Sequence, residues 1–153
     1  MITLRPSIPE DEAFLRCLYA STRAAEMAVV PWSDEEKQSF LDMQFTAQRS
    51  DYANRFPESE HSIILLDDEP IGRIWVNRTD REVRLIDIAL VPERRGHGTG
   101  TMLLEGLQEQ AREAGRPLRH SVYKTNVDAL RFYQRLGFEV VEDFETYVLM
   151  EWT

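Results

Sequence analysis

The segment VRLIDIALV (83–91) is an almost unbroken apolar run, and it limits the fold more than any other feature of the chain. A strand with one wet face alternates apolar and polar side chains; a continuous run fits a strand covered on both faces. The run ends at PERRGHGTG (92–100) and passes into a stretch with Leu103, Leu104, Leu107 and Ala111 at helical spacing. Gly115 follows as a stop, so the spacing predicts a helix over roughly 99–114. The centre of the chain therefore reads as buried strand, glycine-rich turn and amphipathic helix.

The remainder fits around this unit. ITLR (2–5) alternates as a short strand, and Pro9-Glu-Asp-Glu opens a helix carrying Phe14, Leu15, Leu18 and Tyr19. Pro31 ends that pattern, and Ser33 followed by Glu36 is a capping-box signature for a second helix, which fades before Pro57. HSIILL (61–66), a turn at DDEP (67–70) and IGRIWVNR (71–78) form a hairpin that leads into 83–91. After the glycine turn and its helix come a strand at PLRHSVYK, a helix at NVDALRFYQRL, and closing strands FEVVED and ETYVLMEW. The order β-α-α-β-β-β-α-β-α-β-β, with about seven strands and four helices, predicts an α/β (α+β) layer fold on a mixed, mostly antiparallel sheet. With no repeat or flexible linker, residues 1–153 read as a single domain.

Charge narrows the function classes. The net charge of −9 argues against general nucleic-acid or anionic-membrane binding. Residues 91–140 nevertheless carry eight Lys/Arg against six Asp/Glu, so the glycine turn lies in the one locally basic segment. No apolar run approaches the roughly 18 residues of a membrane span, and the N-terminus lacks a secretory layout, so the cytoplasm is the expected location. The lone Cys17 reads as a small core residue, and no His/Cys cluster has metal-ligand spacing.

A strand feeding a glycine turn and a helix is a recurrent way to hold phosphate. The first helical amides lack intrahelical acceptors, and glycines let an anion approach the backbone. Two nucleotide motifs fail here: no GxxxxGK[ST] is present, and neither Gly96 nor Gly98 begins a GxGxxG. On the residues alone, anion binding and a plain glycine turn remain balanced.

The segment IDIALVPERRGHGTGTMLLEGL resembles the signature of the GNAT superfamily of N-acetyltransferases, with Arg95, Gly98 and Gly100 at the positions of Arg/Gln-x-x-Gly-x-Gly/Ala. About thirty residues on, Asn126, Ala129, Tyr133, Gly137 and Phe138 resemble the family's second signature. The resemblance implies an acyl-CoA-dependent enzyme that moves the acetyl group of acetyl-CoA to a primary amine of a small molecule or peptide; the lack of metal-ligand spacing predicts no metal. It also implies a sheet in which the strand before the turn and the next strand splay apart. The backbone at Leu90 and Val91 then pairs with the pantetheine arm. Arg95 and the amides of Gly96, His97, Gly98, Thr99, Gly100 and Thr101 hold the pyrophosphate, and Asn126 faces the cofactor. A homodimer is a frequent assembly in the family, and a non-catalytic acyl-CoA sensor is the alternative function.

Tyr133 stands where the family places the acid that protonates the departing sulfur; a phenol of ordinary pKa ~10 can donate without ionising first. For the base, Asp87 interrupts the apolar run, and a carboxylate there must be hydrogen-bonded or face a cleft. Glu82 and His120 are the second and third choices. Acceptor selectivity is expected from the first two helices, the strand 71–78 and the closing hairpin. The aromatics Trp32, Phe40, Phe45, Tyr52 and Phe56 fit either a cationic or aromatic amine or simple packing.

Overall fold

The computed structural model describes residues 1–153. Its strands are β1 (Ile2–Pro6), β2 (Glu60–Leu66), β3 (Glu69–Arg78), β4 (Val83–Leu90), β5 (Leu118–Tyr123), β6 (Glu139–Asp143) and β7 (Tyr147–Trp152). Its helices are α1 (Glu12–Thr22), α2 (Ala24–Ala28), α3 (Asp34–Arg55), α4 (Thr99–Ala114) and α5 (Val127–Arg135). The strands form one seven-stranded sheet in the order β1-β2-β3-β4-β5-β7-β6. β1 with β2, β5 with β7 and β6 with β7 are antiparallel, whereas β4 and β5 run parallel. This is the mixed, mostly antiparallel α/β architecture expected from the element order. The residues pack as two compact units, Met1–Ile74 with Ile88–Arg95, and Trp75–Asp87 with Gly96–Thr153.

In the first unit, Leu15 and Tyr19 of α1, Met27 of α2, Leu41 and Phe45 of α3, and Ile63 and Leu65 of β2 bury together. The chain has five helices rather than four because the first helical stretch is broken at Arg23 (φ −106°, ψ 4°). The hydroxyls of Ser21 and Thr22 bond back to the carbonyls of Leu18 and Tyr19 at 2.6 Å each, taking up acceptors of the last turn. Cys17 lies on the exposed side of α1, which corrects its reading as a core residue: its neighbours Leu15, Leu18 and Tyr19 take the buried stripe. The box that starts α3 is complete, with Glu36 N bonding Ser33 Oγ at 3.1 Å and Ser33 N bonding Glu36 Oε1 at 3.0 Å. The β2–β3 hairpin turns on Asp67 and Asp68, both at positive φ (48° and 70°), as a two-residue turn matched to strand twist requires.

In the second unit, α4 turns Leu104, Leu107 and Ala111 inward, and Leu118, Val122, Val148 and Met150 of β5 and β7 are buried. Gly115 caps α4 in the left-handed conformation (φ 67°), its amide bonded to Ala111 and Arg112 carbonyls. β4 and β5 share register only over Val83–Leu85 and Leu118–His120. Beyond those pairs, Ile86 and Asp87 on one strand and Ser121 to Tyr123 on the other carry no mutual ladder. No helix of the chain is long and apolar enough to cross a membrane.

Candidate active site

The glycine turn owes its shape to two residues. Gly96 and Gly98 sit at φ 77° and 82°, where a Cβ is strained, and the space above each is open. Gly98 is the N-cap of α4, and no side chain caps the helix. The first helical bond runs from Met102 N to Gly98 O at 3.0 Å, so the amides of Thr99, Gly100 and Thr101 precede the ladder. No acidic residue occupies the first turn. The result is an uncapped helix N-terminus with partial positive charge behind an open turn, which suits an anion. At Gly100 a Cβ would meet Phe132 Cζ of α5 at 3.7 Å, an ordinary van der Waals contact.

Upstream, in the first unit, the backbone at the end of β4 is partly engaged. Val91 N donates to Ile71 O at 2.8 Å. The Arg95 guanidinium donates from Nε to Leu90 O at 3.0 Å and from its terminal nitrogen to Ser21 Oγ at 3.3 Å. Thus Arg95 is tied to the strand end and to α1, while His97 is exposed. Sequence reasoning missed Gly72. A Cβ on this β3 residue would lie 2.2 Å from Ala89 O and 3.1 Å from Leu90 Cα, so β4 can approach β3 here only because the side chain is missing.

The second unit gathers three titratable side chains where the β4–β5 ladder ends. Leu85 and His120 are register partners, so their side chains share a face, and Asp87, two residues beyond Leu85, is on that face too. His120 Nδ1 lies 2.8 Å from Leu85 O, so a side chain occupies the carbonyl at the last register pair. Tyr133 of α5 stands against His120 with ring centroids 4.8 Å apart and is held by Phe132 and Phe138 at 5.1 and 5.3 Å. Only 3% of Tyr133 is exposed.

The electrostatics follow from this crowding. Burial, and secondarily the Asp87 charge, push the Tyr133 phenol well above its ordinary value. Burial lowers the pKa of His120; the bond to Leu85 O and the Asp87 charge oppose that shift, and Arg84 adds to it. Neither the Tyr133 hydroxyl nor His120 Nε2 is among the buried polar atoms lacking a partner, and neither makes a hydrogen bond within the protein.

The other candidates are placed differently. Glu82 is held by Arg119 at 3.1 Å and Arg84 at 3.8 Å, an ion-pair cluster in which Arg119 also reaches Glu151 at 3.4 Å. Asn126 is the N-cap of α5, its Oδ1 accepting from Ala129 N at 3.2 Å, which leaves its amide NH₂ as the end that can donate. The aromatics named for the acceptor split: Phe45 is core, with the Arg16 and Arg49 guanidinium carbons 4.9 and 5.0 Å from its ring centroid, while Trp32 packs on Phe40 at 5.3 Å and stays 41% exposed. No group of three or more His, Cys, Asp or Glu is placed to hold a metal ion.

Comparison with known proteins bears on the same residues. A family model described as the acetyltransferase (GNAT) family matches residues 15–138. The PaiA N-acetyltransferase of Thermoplasma acidophilum, solved with coenzyme A, superposes with a TM-score of 0.72 at 20% identity, over 99% of this chain and 98% of that one. An acetyltransferase from Thermus thermophilus gives 0.70 at 20% identity over 99% and 96%. The N-acetyltransferase PseH of Campylobacter jejuni, solved with acetyl coenzyme A, gives 0.63 at 18% identity over 100% and 99%. At these identities the likeness is one of fold. A search of curated proteins finds no match.

Proposed function

The chain belongs to the acetyltransferase (GNAT) family, and from that membership we propose that it transfers the acetyl group of acetyl-CoA to a primary amine of a small molecule or peptide. We read residues 1–153 as one N-acetyltransferase domain, since the family match runs through segments of both packing units. The observation that carries the reading is the N-terminus of α4: uncapped, free of acidic residues and fronted by two glycines that leave open space.

Acetyl-CoA supplies an activated acetyl carbon and a thiolate leaving group. The amides of residues 96–101 are the donors for its pyrophosphate, with Arg95 adding charge and the exposed His97 beside them. Leu90 and Val91 present backbone groups to the pantetheine arm, and Asn126 donates through its amide. Tyr133, whose phenol burial keeps protonated, is the donor for the departing sulfur. Asp87 is the carboxylate toward which the amine's proton moves, directly or through an intervening group.

Calorimetry with acetyl-CoA tests the cofactor half of this proposal, and absence of binding at millimolar ligand ends it. Thiol release across alkylamines, peptide N-termini and lysine peptides tests the transfer half. Binding with every amine inert turns the reading to a non-catalytic acyl-CoA sensor.

A further inference from the structure

The fork at the end of the β4–β5 ladder holds more than an acid and a carboxylate. A carbonyl oxygen only accepts, so the 2.8 Å contact with Leu85 O places the hydrogen of neutral His120 on Nδ1 and leaves Nε2 as a bare lone pair. That lone pair lies next to the ring of Tyr133 and on the sheet face of Asp87. We propose that His120 Nε2 is the group that takes the proton of the attacking amine, with Asp87 steadying the imidazolium and Tyr133 as its exchange partner. This rests on the acetyl-transfer reading and names the intervening group left open there.

The step balances within the cluster. The amine nitrogen bonds to the acetyl carbon and the carbon–sulfur bond breaks. The amine's proton passes to His120 Nε2, and the Tyr133 hydroxyl proton passes to the sulfur. The imidazolium then returns a proton to the adjacent phenolate, directly or through one water, which restores both side chains. One proton has moved from nitrogen to sulfur, and no further reagent is consumed. The charged groups whose fields reach His120 are Asp87 and Arg84, both on β4. Arg84 points to the opposite face, where it bonds Ser121 Oγ at 2.7 Å. Asp87 is thus the charge that shares the imidazole's face.

The test uses the full chain. In ¹⁵N-histidine-labelled protein with acetyl-CoA at neutral pH, His120 is expected to show a protonated Nδ1 and a bare Nε2; the opposite tautomer overturns the proposal. His120→Asn keeps an amide donor for Leu85 O but removes the base. With n-butylamine as acceptor, kcat is expected to fall about 100-fold while the acetyl-CoA Kd stays within about threefold. The wild-type kcat/KM is expected to decline as pH falls through a value below 6.5, and this limb is expected to vanish in the variant. Unchanged kcat with n-butylamine, or an equal loss of turnover and acetyl-CoA affinity that marks His120 as packing only, overturns the assignment. Failure of wild-type protein to bind acetyl-CoA defeats the transfer reading itself and is a separate result.

Discussion

Tyr133 is held by ring contacts alone, with no hydrogen bond to fix its oxygen. Tyr133→Phe keeps those contacts and removes only the proton. Thiol-release kinetics should show kcat lower by about 100-fold, with acetyl-CoA affinity retained in calorimetry. Because burial raises the phenol above its ordinary value of 10, no alkaline loss of activity from its ionisation is expected up to that pH. Gly72 makes a contrasting case. Gly72→Ala forces a methyl to within 2.2 Å of Ala89 O, so the end of β4 must shift. Melting experiments should show a loss of about 2 kcal/mol, together with weaker acetyl-CoA binding. Tyr133 stands out in the sequence because a motif surrounds it, and the structure places it against His120. Gly72 does not stand out, because its role depends on which backbone lies opposite, and spacing along one strand does not carry that information.

At the scale of elements, the local signals read well. α4 begins and ends where the glycines and the apolar spacing put it, and the Ser33–Glu36 box starts α3. These features were legible because caps and periodicity are local physics. The short α2 was missed because the break at Arg23 comes from hydroxyls bonding back to carbonyls, a choice the residue types permit but do not force. The placing of β7 between β5 and β6, and the three-residue limit of the β4–β5 pairing, are nonlocal and were not written in any one segment. A splay of those strands is expected only through family resemblance; the structure shows the pairing limited to three residues. For α4 itself, Gly98→Ala places a Cβ at φ 82°. The strain of about 1 kcal/mol should appear as a lower melting temperature and, by tilting the first amides, as weaker acetyl-CoA binding in calorimetry.

At the scale of the molecule, charge and acid stability are the measurable properties. The chain carries −9 overall, with its one locally basic stretch at 91–140. Binding of polyanionic CoA should therefore weaken as ionic strength rises, since exposed charges are screened over ~8–10 Å at moderate salt. Calorimetry at two salt concentrations checks this. Acid stability has an identifiable contributor in the first unit, where buried Asp11 receives both Arg5 nitrogens at 2.8 Å and Ile8 N at 2.9 Å. The Arg5 bonds, chiefly, hold its pKa below the ordinary 3.8. A lowered carboxylate stabilises the fold above 3.8, and the contribution disappears as pH falls through the folded value. Urea denaturation of Asp11→Asn should show a loss of about 1.5 kcal/mol at pH 7, modest because Arg5 remains partly solvated. The gap from wild type should close in strong acid.

The bond from His120 to Leu85 O also bears on how the strands find their alignment during folding. A slip of one residue in β5 would bring Arg119 or Ser121 opposite Leu85 and swing the imidazole to the far side of the sheet, away from Tyr133. Neither replacement side chain carries a ring nitrogen that can close on that carbonyl at the same reach. The contact is therefore tied to the register: a chain paired out of frame separates His120 from Tyr133 and loses a hydrogen bond in the same event.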